Sequence, residues 1–352
     1  MQNATKDNDV DLAAVEQWMD SADLGDGPIE AIRPIPGGTQ NVMLRFTRGG
    51  RAYVLRAPAA SARIDPNRTV GREIQLLNAL SETGVPHAAL IRACSDDAVI
   101  GRMFYLMEEV DGFNATETLP ALHAADDEIR YRMGLAIVDG ALSLASIDYR
   151  SVGLEEFGRP AGFLERQVAR WSDQLHGYRD YVGWPGPDAI GPVTEVAEWL
   201  EANRPVNFVP GIMHGDFHLS NVMYRPDGPE LAAIVDWELA TIGDPLIDLG
   251  WLLATWPDQG PTRPPERSMI RWDGLPRRSE LVAHYAAATA RDLSRVEWYA
   301  VFACYKLGIL LEGTHARACA GRAPQDTGER LHAAACRYLA RALDLTREGI
   351  RD

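Results

Sequence analysis

A chain of 352 residues can bury a large core and has room for two lobes, and 46% hydrophobic with 24% charged residues is ordinary globular composition. A formal net charge of −15 at pH 7 argues against a nucleic-acid or anionic-membrane partner, which needs a basic face, but it leaves room for a nucleotide held by a few local cations. Cys94, Cys304, Cys319 and Cys336 form no CxxC pair, the start is acidic and polar, and no apolar run reaches bilayer length, so a reduced, cytoplasmic protein is expected.

Residues 10–19 place Leu12, Val15, Trp18 and Met19 at helical spacing. Pro36-Gly37-Gly38-Thr39-Gln40-Asn41 then forms a glycine loop leading into an alternating run at 42–46. A Gly49-Gly50 turn and a second run at 52–56 complete a hairpin. An amphipathic helix over 68–82 buries Val70, Ile74, Leu77 and Leu80, with Glu73 among them, and strand-like runs follow at 88–93 and 103–110. Asp111-Gly112 breaks this pattern. Helices are expected at 125–147, 160–175, 193–203 and 245–255, and Ser294-x-x-Glu297 reads as a capping box opening a long helix through Tyr305 and Leu311. Two short strands, 221–225 and 231–236, interrupt the helices, and Pro/Gly-rich 256–276 reads as a surface loop.

The segment His214-Gly215-Asp216-Phe217-His218-Leu219-Ser220-Asn221, followed by Ile234-Val235-Asp236-Trp237-Glu238, carries the chemistry. The residues between Tyr224 and Leu231 are strong turn formers. Folded as a hairpin, the two strands bring Asn221 and Asp236 to one open end, where cross-strand pairs lie about 5 Å apart. Oxygen ligands of that kind suit magnesium completed by phosphates, and Asp216 on the adjoining loop can take the proton of a hydroxyl attacking a γ-phosphate. Two blander readings stand beside this one. Lone Asp and Asn residues also serve as turn and cap residues. His214 and His218 form a His-x-x-x-His spacing seen in zinc sites, although no Glu follows the first histidine and Gly215 argues against a helix.

The HGDxHxxN pattern with its Asp-ended strand resembles the signature of the aminoglycoside phosphotransferase and choline kinase-like small-molecule kinases, over roughly residues 25 to 345. The resemblance implies an α+β, protein-kinase-like, two-lobed fold. A small N-terminal antiparallel sheet lobe (1–110) would bind nucleotide, and a larger, mainly helical C-terminal lobe (111–352) would hold the acceptor. It implies ATP and Mg2+ as cofactors, Asp216 as the catalytic aspartate, Asn221 and Asp236 as metal ligands, and Glu238 as an additional carboxylate. The run from Trp237 to Pro245 resembles more closely the kinase-like modules related to acyl-CoA dehydrogenase fusion proteins. That implies a hydroxylated acyl-CoA acceptor ahead of an aminoglycoside, and a functional link to an acyl-CoA dehydrogenase.

By the same resemblance, Gly37, Gly38, Thr39 and Asn41 would cover the phosphates, and Glu73 would partner a strand cation. Backbone groups at Glu108 and Val110, in the hinge over 106–112, would read the adenine edge. Arg56 takes the position where the family pattern has lysine; the chain's two lysines, Lys6 and Lys306, lie before the fold and in a late helix. Arginine is not equivalent to lysine at a phosphate site. Two readings therefore stay open: an active kinase of small-molecule hydroxyls, or a nucleotide-binding pseudokinase acting as regulator or scaffold. His214 and His218 are expected to shape the loop, Asp244 to cap the helix opened by Pro245, and Asp248 to brace the loop from behind. Trp256, Trp298, Tyr305, His315 and Arg317 are candidate acceptor-pocket walls, and Arg263, Arg267, Arg271, Arg277 and Arg278 a candidate basic loop.

Overall fold

The apolar stripe near the start folds as α1 (Leu12–Ser21), whose N-cap Asp11 accepts hydrogen bonds from Ala13 N and Ala14 N at 3.1 Å each. The computed structural model describes residues 10–35, 41–59, 65–257 and 273–350. Within them follow β1 (Glu30–Pro34), β2 (Asn41–Arg48), β3 (Arg51–Pro58), α2 (Pro66–Leu80), β4 (Leu90–Cys94) and β5 (Phe104–Met107). The five strands form one antiparallel sheet in the order β1-β2-β3-β5-β4. β1 is absent from the sequence reading because its residues are all exposed, as an edge strand's can be, and carry no apolar alternation.

Side chains alternate across a strand, and β3 uses both faces. Tyr53, Leu55 and Ala57 join Val15, Met19, Phe46 and Phe104 in one apolar cluster under α1. Arg56 points the other way and meets Glu73 of α2. By compactness this unit comprises Met1–Gly112 with Val152–Leu154 and Ala232–Glu238.

The second unit comprises Phe113–Ser151, Glu155–Leu231 and Leu239–Asp352. Its helices are α3 (Ala121–Ala125), α4 (Asp127–Ser146), α5 (Gln167–Gly177), α6 (Val193–Ala202), α7 (Leu246–Thr255), α8 (Arg278–Ala287), α9 (Val296–Cys319) and α10 (Gln325–Glu348). Between α6 and α7 in the chain run four short strands, β6 (Gly211–Met213), β7 (Val222–Tyr224), β8 (Leu231–Ile234) and β9 (Thr241–Gly243); β6 pairs with β9, and β8 from Ala232 on belongs to the first unit. From Leu246 to Ala254, α7 is buried on every side, and α9 packs on both α7 and α10. α9 and α10 approach closely at Gly308, where an added Cβ would fall 1.8 Å from Leu339 Cδ2.

The expected capping box does not form. α9 begins at Val296 with Arg295 at the N-cap and no side-chain cap, one residue beyond Ser294, whose N and hydroxyl are both engaged by Asp292. Among the described residues, no helix is long and apolar enough to cross a membrane.

Candidate active site

The loop after β6 is pinned from several sides. Gly215 adopts φ +86, and a Cβ there would sit 2.6 Å from Leu239 O, so both conformation and space require glycine. From α7, the fully buried Asp248 accepts hydrogen bonds from His214 N at 2.6 Å and Gly215 N at 2.8 Å. From α9, Lys306 Nζ donates to Gly215 O at 3.0 Å and lies over the rings of Trp251 and Trp171, 4.2 and 5.4 Å from their centroids. Asn114 Nδ2 donates to Ser220 O at 2.6 Å. Lys306 is the residue that sequence reasoning set aside, although a lone lysine inside an apolar helix of a lysine-poor chain was the available signal.

These braces present Asp216. Asn221 Nδ2 donates to its carbonyl at 2.9 Å and to Oδ2 at 3.1 Å, and His218 Nε2 lies 3.3 Å from Oδ1. Because His218 Nδ1 accepts from Ser220 N at 3.1 Å, the neutral ring carries its proton on Nε2 and aims it at Asp216. His214 Nδ1 likewise accepts from Asp216 N at 3.3 Å, so both histidines shape the loop rather than offer a zinc pair. Burial alone would push the Asp216 carboxyl up. The His218 hydrogen bond and charge, with His214 and Lys306, more than reverse this and hold it below the usual carboxylate range. Burial pushes Asp248 up to about 7 despite its two N–H donors and Lys306. Burial also pulls the Lys306 ammonium down to about 8 against the attraction of Asp216 and Asp248.

In the first unit, Arg56 forms a two-pronged pair with Glu73: Nε to Oε2 at 2.7 Å and Nη2 to Oε1 at 2.8 Å. Tyr105, opposite Arg56 in the sheet register, donates its hydroxyl to Glu73 Oε2 at 2.8 Å, and Arg56 Nη2 also reaches Asp236 Oδ1 at 3.1 Å. Burial alone would lower the guanidinium's pKa; the charges of Glu73 and Asp236 outweigh it, and the group is permanently charged. Asp236 follows β8 in a left-handed conformation, φ +67. Glu238 accepts from Asn41 Nδ2 at 3.3 Å, and burial, reinforced by the negative charge of Asp236, raises its carboxyl. After β5, Glu108 N donates to Ala89 O at 2.9 Å and its side chain accepts from Arg51 Nη2 at 3.1 Å. Gly37, Gly38 and Thr39 lie outside the described residues.

The expected acceptor-pocket walls belong to the helical core. Trp256 Nε1 donates to Pro276 O, Trp298 Nε1 donates to Leu200 O and stacks on Phe302, Tyr305 is buried, His315 is tied to Glu312, and Arg317 bonds Thr314. Aromatics at helical spacing carry the same pattern whether they face a core or a ligand. In the basic loop, Arg278 is buried on the Leu253 and Trp256 carbonyls, while Arg263, Arg267 and Arg271 lie outside the described residues.

Comparison with known proteins places this geometry. A profile of the phosphotransferase enzyme family matches residues 31–282. Acyl-CoA dehydrogenase family member 11 of Pongo abelii is 30% identical over 286 residues, which cover 80% of this chain and 35% of that protein. The chain thus spans about a third of that relative's length. A Ralstonia eutropha JMP134 protein named as a candidate aminoglycoside phosphotransferase superposes with a TM-score of 0.77 at 26% identity, covering 95% of this chain and 99% of that one. A thermostable aminoglycoside phosphotransferase APH(4)-Ia, solved with AMP-PNP and hygromycin B, shares the fold at a TM-score of 0.60 and 14% identity, covering 94% and 98%.

Proposed function

Since the chain belongs to the phosphotransferase enzyme family, we propose that it is a kinase of small-molecule alcohols that moves the γ-phosphate of ATP to a hydroxyl, with Asp216 as base. The observation that carries this is the presentation of Asp216: an ionised carboxylate fixed by His218 and Asn221 on a loop tied down by Asp248 and Lys306. In the proposed step the acceptor hydroxyl loses its proton to an Asp216 oxygen while its own oxygen bonds the γ-phosphorus. The bond from that phosphorus to the β–γ bridging oxygen breaks, and ADP leaves. A low-pKa base suffices, because the transition state of phosphoryl transfer is loose and the proton moves late.

Magnesium suits the donor chemistry of these residues: Asn221 spends its Nδ2 on Asp216 and has Oδ1 to offer, and Asp236 and Glu238 offer carboxylates, the latter raised by burial and by the charge of Asp236. Bound there, the ion would neutralise charge on the phosphates. Arg56, held by Glu73, would supply a fixed positive charge in place of the family's lysine. The Gly37-Gly38-Thr39 loop and Asn41 would cover the phosphates, and the Glu108 carbonyl and Val110 N–H would read adenine. Residues 1–110 are assigned to nucleotide binding and 111–352 to catalysis and acceptor binding. The naming of the acyl-CoA dehydrogenase relative favours a hydroxyacyl-CoA-type acceptor over an aminoglycoside, and a functional link to a dehydrogenase of that class.

The test is magnesium-dependent ATP consumption by wild type and Asp216→Ala across hydroxyacyl-CoAs, aminoglycosides, choline and sugars. Turnover with one acceptor, lost in Asp216→Ala while nucleotide still binds, is the expected result. Nucleotide binding without turnover of any acceptor would favour the pseudokinase reading, to which the arginine at position 56 points.

A further inference from the structure

A second cluster of chemistry-bearing side chains lies on α9 and α10. Each helix carries a histidine followed four residues later by a cysteine: His315 with Cys319, and His332 with Cys336. Spacing of four puts each pair on one helix face. Both imidazoles turn Nδ1 to the same carboxylate, His315 to Glu312 Oε1 and His332 to Glu312 Oε2, each at 2.8 Å. The two rings lie against each other with centroids 4.3 Å apart.

Glu312 is completely buried. Trp184 Nε1 donates to its Oε1 at 2.6 Å, and its ion-pair partners among the described residues are the two histidines, with no arginine or lysine. A charge taken fully out of water is as a rule paired or bound to a metal. The geometry points to a binding site for a divalent transition metal of the zinc class, formed by Glu312 and the Nδ1 atoms of His315 and His332, that fastens α9 to α10.

The donor set and its spacing agree with this. Two nitrogens and a carboxylate oxygen suit zinc, with a fourth position left for water. The three ligand atoms lie within 4.8 Å of one another. Ligands about 2.0–2.1 Å from a tetrahedral ion are roughly 3.3 Å apart, so a 2.8 Å contact to one carboxylate oxygen opens by about 0.5 Å while the other histidine shifts toward that same oxygen. Proton accounting closes as well. Without metal, each ring carries its proton on Nδ1, facing Glu312. With Nδ1 on the metal, that proton moves to Nε2, where a sulfur waits: Cys319 Sγ at 3.5 Å from His315 and Cys336 Sγ at 3.7 Å from His332. Ligating histidines characteristically have such an outer partner for the other ring nitrogen. The His332 side chain is 27% exposed, which gives an ion a route in.

The test uses the full chain after chelator treatment, titrated with Zn2+ by calorimetry and with Co2+ by visible absorption. One Zn2+ per chain is expected, with a rise in melting temperature. Removing a direct ligand in His332→Gln or Glu312→Gln should weaken binding by more than about 100-fold, beyond the 10–100-fold typical of an outer-shell loss. The double variant Cys319→Ser/Cys336→Ser keeps a hydroxyl beside each ring and should lose no more than the about 10–100-fold of an outer-shell change, and the surface variant His284→Gln should match wild type. His332→Gln carries the test if Glu312→Gln misfolds. Absence of Zn2+ binding by the folded wild type overturns the site and leaves a purely hydrogen-bonded cluster. So does undiminished binding by His332→Gln. A sulfur-to-cobalt charge-transfer band that disappears in the double cysteine variant would move the metal to the thiols and overturn this ligand assignment.

Discussion

Replacing Lys306 with methionine nearly conserves volume and removes one charge, so it separates what the ammonium does for stability from what it does for the loop. Burial holds the folded pKa at about 8 against the ordinary 10.5. That difference corresponds to about 3 kcal/mol against the charged form, even with Gly215 O and Trp251 in contact. Between those two values the unfolded chain binds a proton that the folded chain does not. Wild-type stability therefore rises by up to about 3 kcal/mol as pH climbs from about 8 to 10.5, and Lys306→Met lacks that rise. At neutral pH the variant should stay within about 1.5 kcal/mol of wild type, as a near-isosteric swap that sheds a buried charge. The loop fares differently. Gly215 O loses a charged donor of about 1.5–3 kcal/mol, which predicts a fall in kcat of about 10–100-fold and faster amide exchange at Gly215 and Asp216. Urea melts across this pH range, hydrogen exchange and ATP turnover read the three effects. A loss of several kcal/mol at pH 7 with unchanged exchange and turnover would refute this account and make Lys306 a packing residue.

Asp248→Asn turns an amide N–H onto His214 N or Gly215 N and should lower turnover. The wild-type carboxyl, raised to about 7 from 3.8, holds a proton in the folded chain that the unfolded chain has lost. Wild-type stability therefore falls by up to about 4 kcal/mol between about pH 4 and 7, and urea melts of the Asn variant should lack that slope. Arg56→Ala leaves Glu73 buried with Tyr105 as its remaining partner and should cost about 3–5 kcal/mol. Arg56→Lys keeps the charge and should cost about 1–2 kcal/mol; equal melting temperatures for the two would sink the pairing argument. His218→Ala removes the strongest downward pull on Asp216, so the acid limb of kcat/KM should move to higher pH, and an unmoved limb would show that His218 does not act on this carboxylate.

The sequence was informative where local pattern and tertiary environment agree. The hairpin and α2 follow from alternation, a Gly-Gly turn and a 3.6-residue stripe, and the loop from Met213 to Asn221 announces itself by its spacing of polar residues. Asp248 was legible as a brace because a carboxylate in the first turn of an apolar helix needs a donor. Reading failed where pattern and environment part company. β1 is an exposed edge with no alternation. Ser294 and Glu297 have capping-box spacing, yet the backbone before α9 routes Ser294 N to Asp292. Lys306 and Glu312 were invisible as partners because each acts across more than a helical turn of tertiary contact, with Gly215 for one and His332 for the other.

Asp236 occupies a backbone conformation that costs an L-residue about 1–2 kcal/mol and that glycine adopts freely. Its carboxylate also aggravates the burial of Glu238. Asn or Gly at this position would relieve both stresses, so selection for heat resistance alone would drive the chain toward losing the carboxylate. On the proposed assignment of Asp236 to the metal, directed evolution of a more robust form must hold position 236 fixed, or couple every thermal screen to turnover, lest the hardiest clones be inert.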